Sequence, residues 1–235
     1  MSVLNPTNFL DLVQRLGVDV GAITNPTAQL PTTVDADGQN LTFCNYINQA
    51  WKEIQAIHAD WKFLRTSTSF ATVADQTTYT PAQAGVAAGV VGQWVRHSFR
   101  SYLTSSGTPS EQHMTWMGYD DWRDMFLFGS LRTARVQPLY IAETPSLGLA
   151  IPCPLAGYTI VGDYYAAPVG LDEDTDSPSL PNEFIMMIVY KAMMTYAEFE
   201  SAPEVFQQGQ RGYNLLFNKL ESSRLIEITA GGALA

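Results

Sequence analysis

Cysteine, histidine and positive charge are all scarce in this chain of 235 residues. Its two cysteines, Cys44 and Cys153, lie outside any Cys-x-x-Cys pair, which suggests neither a disulfide framework nor a zinc site and reads as buried thiols in a reducing cytoplasm. His58, His97 and His113 share neither metal-ligand nor triad spacing. Lys and Arg number 13 against 23 Asp and Glu, a net charge of −10. That balance argues against a surface that grips nucleic acid, because such binding rests on cations displacing counterions. No apolar run approaches the roughly 20 residues needed to cross a bilayer. The opening Met-Ser-Val-Leu-Asn-Pro lacks the basic-then-apolar pattern of a secretory signal, so neither export nor a membrane partner is expected. Gly85–Gly92 lacks the Lys-Ser/Thr of a phosphate loop, and Ser130 in Phe128-Gly-Ser-Leu has no nearby base. No metal, cofactor or catalytic residue is expected.

What is present is apolar periodicity, in a chain 46% hydrophobic. Thr7 or Asn8 caps a first helix through Leu16, with Gly17 as its stop. Val18 to Asn40 has no period and reads as a loop. A second helix, about Leu41 to Asp60, carries Cys44, Ile47, Trp51, Ile54, His58 and Trp61 at steps of three and four and passes without a break into the alternating run Thr66 to Val73. Further short strands are expected at Thr77 to Tyr79 and Trp94 to Leu103, and after Pro138 the runs Leu139 to Glu143, Gly148 to Ile151 and Tyr158 to Tyr165 are expected to form an antiparallel meander. Between them, Met114 to Phe128 is dense with apolar side chains, and Asp120 caps a short helix. After the acidic linker Asp172 to Pro181, Asn182 caps a buried helix to Glu200, and a last helix opens at Pro203 and runs to about Ile226.

The expected fold class is α+β, a helical bundle built from N- and C-terminal helices with an inserted antiparallel β-subdomain. Residues 1–65 and 172–235 form the bundle, and 66–171 the insert, with a short helix near 120–128.

Few constellations carry chemistry. Asp172, Asp174, Asp176 and Glu183 occupy calcium-loop positions, but Ser177 stands where that loop needs glycine and Pro178 and Pro181 stiffen it, which favours a solvated linker. Asp120 and Asp124 lie four apart, on one helix face, as an acid and base pair would; a capped helix with Arg123 in an ion pair is the simpler reading.

Several blocks together resemble a known family: Ile47-Asn-Gln-Ala-Trp51-Lys-Glu-Ile54, Asp60-Trp-Lys-Phe-Leu-Arg65, Gln76-Thr-Thr-Tyr79, Tyr119-Asp-Asp-Trp-Arg123, Pro181-Asn-Glu-Phe184, Ile188-Val-Tyr-Lys191 and Ala202-Pro-Glu-Val-Phe206. Their order and spacing, from about Thr7 to Leu220, resemble the head-to-tail adaptor (connector, neck) proteins of tailed bacteriophages, the group that includes tail tubular protein A of short-tailed phages. Such a protein is a non-enzymatic virion component at the portal vertex, assembled in the host bacterial cytoplasm. The resemblance implies a ring, commonly of about twelve copies, closed by heterologous contacts. It docks on the portal protein, receives a nozzle or tail tube and possibly tail fibres, and surrounds the DNA during genome ejection without reading its sequence.

On that reading Trp51, Trp61, Tyr119 and Trp122 are the candidates for core or subunit packing. Ser222, Arg224, Ile226 and Leu234 mark a portal-facing C-terminal arm. Arg96, Arg100, Arg132 and Arg135 line the lumen or pair between subunits. The alternatives are a tail-terminator or head-completion protein of another layer, or a tail-associated polysaccharide-degrading enzyme using Asp120 and Asp124.

Overall fold

A computed structural model describes residues 6–152 and 157–224, without the side chain of Arg224. Cys153, Ile226 and Leu234 lie outside the described residues. In chain order the helices α1 (Phe9–Asp19), α2 (Pro26–Gln29) and α3 (Gly38–Ile57) lead into strands β1 (Arg65–Ala71), β2 (Thr78–Tyr79), β3 (Val91–Trp94), β4 (Arg100–Leu103), β5 (Gln112–His113) and β6 (Thr115–Trp116). Helix α4 (Tyr119–Trp122) precedes β7 (Tyr140–Glu143), β8 (Leu149–Ala150) and β9 (Tyr158–Ala166), and α5 (Met186–Glu200) and α6 (Pro203–Arg224) close the order. Two compact units result: Met1–Leu64 with Pro168–Ala235, and Arg65–Ala167.

In the first unit, α1 starts where the Asn8 side chain accepts from the Asp11 amide at 2.8 Å. Two more amides of its open first turn find acceptors in the acidic segment: Phe9 N donates to Asp176 O at 2.7 Å and Leu10 N to Asp174 O at 3.2 Å. Gly17 is not the stop; the helix runs on to Asp19. The Ile23 side chain packs directly on Gly17, where a β-carbon would stand 2.4 Å from Ile23 Cδ1. The expected loop from Val18 onward is tied down by its own chain, with Leu30 fully buried and its carbonyl accepting from Gln14 Nε2 at 2.8 Å.

Helix α3 buries Phe43, Ile47, Trp51 and Ile54, the three-four stripe that its sequence displays. It ends at Ile57, and a 3-10 turn at Lys62–Leu64 intervenes before β1, so the continuous helix-to-strand passage does not occur. Two amide side chains on α3 grip the segment that enters the second half of the unit. Asn48 donates to Leu171 O at 2.8 Å and accepts from Leu171 N at 2.7 Å; Gln55 donates to Val169 O at 2.9 Å and accepts from Val169 N at 3.2 Å. Each reproduces the reciprocal pairing of a β-ladder, with a helix as the second strand.

Helix α5 buries Met187, Ile188, Val189, Ala192 and Met193, but its Phe199 is 74% exposed. After Ser201, at φ 55°, the chain turns into α6, which approaches α5 closely because it offers glycines: a β-carbon on Gly209 would lie 2.8 Å from Tyr190 O. Glu53 of α3 pairs with Lys191 of α5 at 3.0 Å, and the Lys191 ammonium stands 5.8 Å from the Tyr213 ring centre on α6. Burial, with the carboxylates of Glu53 and Glu221 nearby, pushes the Tyr213 hydroxyl up to about 12.

The second unit holds two sheets. In one, the nine-residue β9 is central, pairing β1 along one edge and β3 and β4 along the other, with β5 outside β4. In the other the order is β2-β8-β7-β6. Gly162 on β9 admits the Phe99 ring, which a β-carbon would meet at 2.5 Å. Phe99 then packs in T-shape on Trp94, at the centre of a core that includes Phe70, Ile141, Leu149 and Ile160.

The expected fold class is corrected by this arrangement. The described residues form a mixed structure of six α-helices and two sheets, not a helical bundle framed by N- and C-terminal helices. Helix α4 and the π turn Arg123–Leu127 stand where a short helix near 120–128 is expected, but β6 runs parallel to β7, so the strands of this region are not all antiparallel. The physical reason is that β5 and β6 have two residues each, too few to display a period, and their pairing depends on partners distant in sequence.

Candidate functional site

The aromatic candidates fall into two pairs, one in each unit. Trp51 and Trp61 are buried and meet through Phe63, whose ring stacks 6.2 Å from Trp51 and 5.4 Å from Trp61. The chain reverses after His58, bringing the Trp61 indole back under the helix it has left. Its Nε1 donates at 3.0 Å to Ile54 O, one of the carbonyls a helix end leaves without an amide. The T-shaped neighbours His58 and Phe217 complete the cluster. His58 also meets Glu221 at 3.1 Å.

Tyr119 and Trp122 stack nearly parallel, 5.9 Å apart, on α4. Trp122 is fully buried beside Phe126, Ala142 and Ala150, and its Nε1 has no hydrogen-bond partner among the described residues. Gly118, not Asp120, stands at the N-cap. Tyr119 stays half-exposed and, with Arg96, Trp116, Met117, Asp120 and Glu143, lines an open cleft of about 530 Å³.

The apolar run that ends at Phe128 predicts dense packing of Met125 and Phe128, and here the structure differs most. Phe126 turns inward; Met125 and Phe128 are exposed, and so are Leu131, Val136, Leu139 and Tyr140. The π turn Arg123–Leu127 widens the helix by one residue, which breaks the three-four step that would have buried both. Arg123 spans the turn, 5.9 Å from the Tyr119 ring centre and 5.3 Å from that of Phe128, with Asp120 at 3.9 Å. Arg135 pairs with Asp75 at 2.5 Å. The signal that could have exposed this surface is the pair of arginines, Arg132 and Arg135, set among single apolar residues between Leu131 and Val136.

Of the portal-arm candidates, Ser222 is exposed and donates to Lys219 O at 2.9 Å; Arg224 is the last residue of α6. Ile226 and Leu234 are outside the described residues. Of the arginine candidates, Arg100 pairs with Glu111 at 3.2 Å, and Arg96 lies 5.9 Å from the Trp116 ring centre.

The acidic segment takes a structural part. Asp174 accepts from Thr33 N at 2.6 Å, Thr33 Oγ1 at 2.5 Å and Thr32 Oγ1 at 2.7 Å. Partial burial works upward on its carboxyl, but these bonds outweigh it and hold the group below the usual carboxylate range. Asp176 accepts from the amides of Glu173 and Asp172 and is likewise held down. With these oxygens engaged by the chain, the calcium-loop spacing does not assemble a ligand shell; no group of three or more His, Cys, Asp or Glu among the described residues is placed to hold a metal.

Of the carboxylates of the enzyme alternative, Asp120 has a side chain 94% exposed and lies 3.9 Å from Arg123, and Asp124 is exposed. The described site residues thus comprise buried aromatic clusters in each unit and an exposed surface of arginine and apolar side chains between Arg123 and Tyr140.

No curated protein matches the chain. The family described as SU10 adaptor protein matches residues 7–232, nearly the whole length. This chain belongs to the SU10 adaptor family and is a phage head-to-tail adaptor protein.

Proposed function

We propose that the protein forms a ring, of about twelve copies, that docks on the portal protein, receives the next tail component and surrounds the DNA channel at the neck of the virion. The observation that carries this reading is the family match over residues 7–232. Its work is structural, done by surfaces, and assembly takes place in the host cytoplasm before the particle is complete.

Charge supports it. The unit of Met1–Leu64 and Pro168–Ala235 has sixteen acidic and seven basic residues, and that of Arg65–Ala167 has seven acidic residues, six arginines and no lysine. A wall with so few cations offers a passing duplex little counterion release and therefore little grip. The stretch from Ser222 through Arg224, Ile226 and Leu234 serves as the arm that meets the portal.

Electron cryomicroscopy of the intact particle tests the reading. The expected result is a closed ring of this chain directly beneath the portal; density for it elsewhere in the tail, or as isolated copies, overturns the assignment.

A further inference from the structure

The segment from Arg123 to Tyr140 is a basic strap on an acidic protein, with three arginines against one aspartate. Its ends are fixed. Phe126 is buried at the start, and at the far end Ser101 Oγ donates to Pro138 O at 2.7 Å. Between them the surface has the composition of a protein interface core, in which Met, aromatic residues and Arg are enriched and Lys and Glu depleted. Phe128 is 64% exposed, with the Arg123 guanidinium 5.3 Å from its ring centre. The Arg132 side chain has no ion-pair partner among the described residues.

A counterpart of opposite character exists on the same chain. Where α5 turns into α6, the exposed Phe199 lies between the exposed Glu198 and Glu200 in sequence, and Glu204 follows, with no cation between residues 198 and 204. Beside it a groove of about 290 Å³ is lined by Phe43, Tyr46, Tyr196 and Phe199. The groove is aromatic with Glu200 as its one charged lining residue, while the strap is apolar and carries arginines.

We propose that the strap is one side surface of the subunit, and that its occupant is a second copy of this chain, seated through the acidic α5–α6 turn. The proposal rests on the ring reading above and names the contact that builds the ring. Leu131 and Phe128 enter the aromatic groove of the neighbour, and Arg132 meets its Glu200. Arg135, now paired with Asp75, shares its charge with the rim. Because strap and turn are different surfaces, the contact is heterologous and repeats from copy to copy until rotation closes it. Opposite charge steers the encounter and rejects the turn-to-turn alternative.

The test uses the full-length protein, assembled alone at rising concentration and on portal-bearing heads that lack tails, with rings counted by sedimentation and electron microscopy. Arg132→Glu and Leu131→Asp change exposed positions, so the melting temperature should stay at the wild-type value. Each is expected to raise the concentration for half-assembly by at least about tenfold. Glu200→Arg added to Arg132→Glu should restore assembly, since every interface then carries the reversed pair. Wild-type rings with both single variants assembling at the wild-type concentration overturn the strap proposal and leave the ring reading standing. Absence of wild-type rings in both settings overturns the two together.

Discussion

Asn48 on α3 holds both main-chain groups of Leu171, donating to its carbonyl at 2.8 Å and accepting from its amide at 2.7 Å, although 123 positions separate them. With Gln55 doing the same at Val169, two side chains give an extended segment the partner that a sheet would otherwise supply.

Replacing Asn48 by Ala leaves an amide and a carbonyl without partners where water reaches them only in part. The expected cost is about 1–3 kcal/mol, seen as a lower urea midpoint with an unchanged m-value. A change below about 0.3 kcal/mol would show that water replaces the amide at this site.

Gly209→Ala should destabilise, against the sign that helix propensity gives. Propensity alone favours alanine by about 1 kcal/mol, but the new methyl would stand 2.8 Å from the Tyr190 carbonyl, which is main chain and cannot swing aside. A net loss of about 1–3 kcal/mol is expected, read from chemical denaturation. A rise in stability would mean that α6 slides on α5 without penalty.

Trp61 tests how the end of α3 is held. Trp61→Phe keeps a ring against Phe63 and Phe217 but removes the donor to Ile54 O, for an expected loss of about 1–2 kcal/mol. Trp61→Ala also opens a cavity and should cost about 3–5 kcal/mol. Equal losses in the two variants would assign the stabilisation to the hydrogen bond alone.

Asp174 makes part of the stability depend on acidity. Its carboxyl titrates below the ordinary range in the folded chain. Its contribution is therefore fully present above the unfolded-state carboxylate range and is lost as pH falls through the depressed folded value. Asp174→Asn should lower the melting temperature by a few degrees near neutrality, and the gap to wild type should narrow in acid. A gap constant across that titration would show that the charge does no work there.

Much of the local structure was legible because it is written in short-range periods. Phe9, Leu12 and Leu16 mark α1, Ile47, Trp51 and Ile54 mark α3, and alternation marks β1 and the long β9. What was not legible is either too short to have a period, as β5 and β6 are, or made by partners far away, as with Asp174 and Thr33 across 141 positions. The open strap was misread for a third reason. Met125 and Phe128 are apolar and helical in spacing, and a single inserted residue at the π turn moves such a pair from core to surface.

The division of one unit between the two ends of the chain has a consequence for synthesis. Arg65–Ala167 leaves the ribosome as an uninterrupted stretch with its core residues all at hand, while the Asn48, Gln55 and Thr33 contacts wait for residues 168 onward. At translation speeds of about 5–20 residues per second, the 103 intervening residues hold α3 without its partners for roughly 5–20 s. During that interval Phe43, Ile47 and Ile54 form a naked sticky stripe on the nascent chain. The unit that is begun first is thus finished last, and its apolar face must be shielded by the nascent chain itself or by a chaperone until α5 arrives.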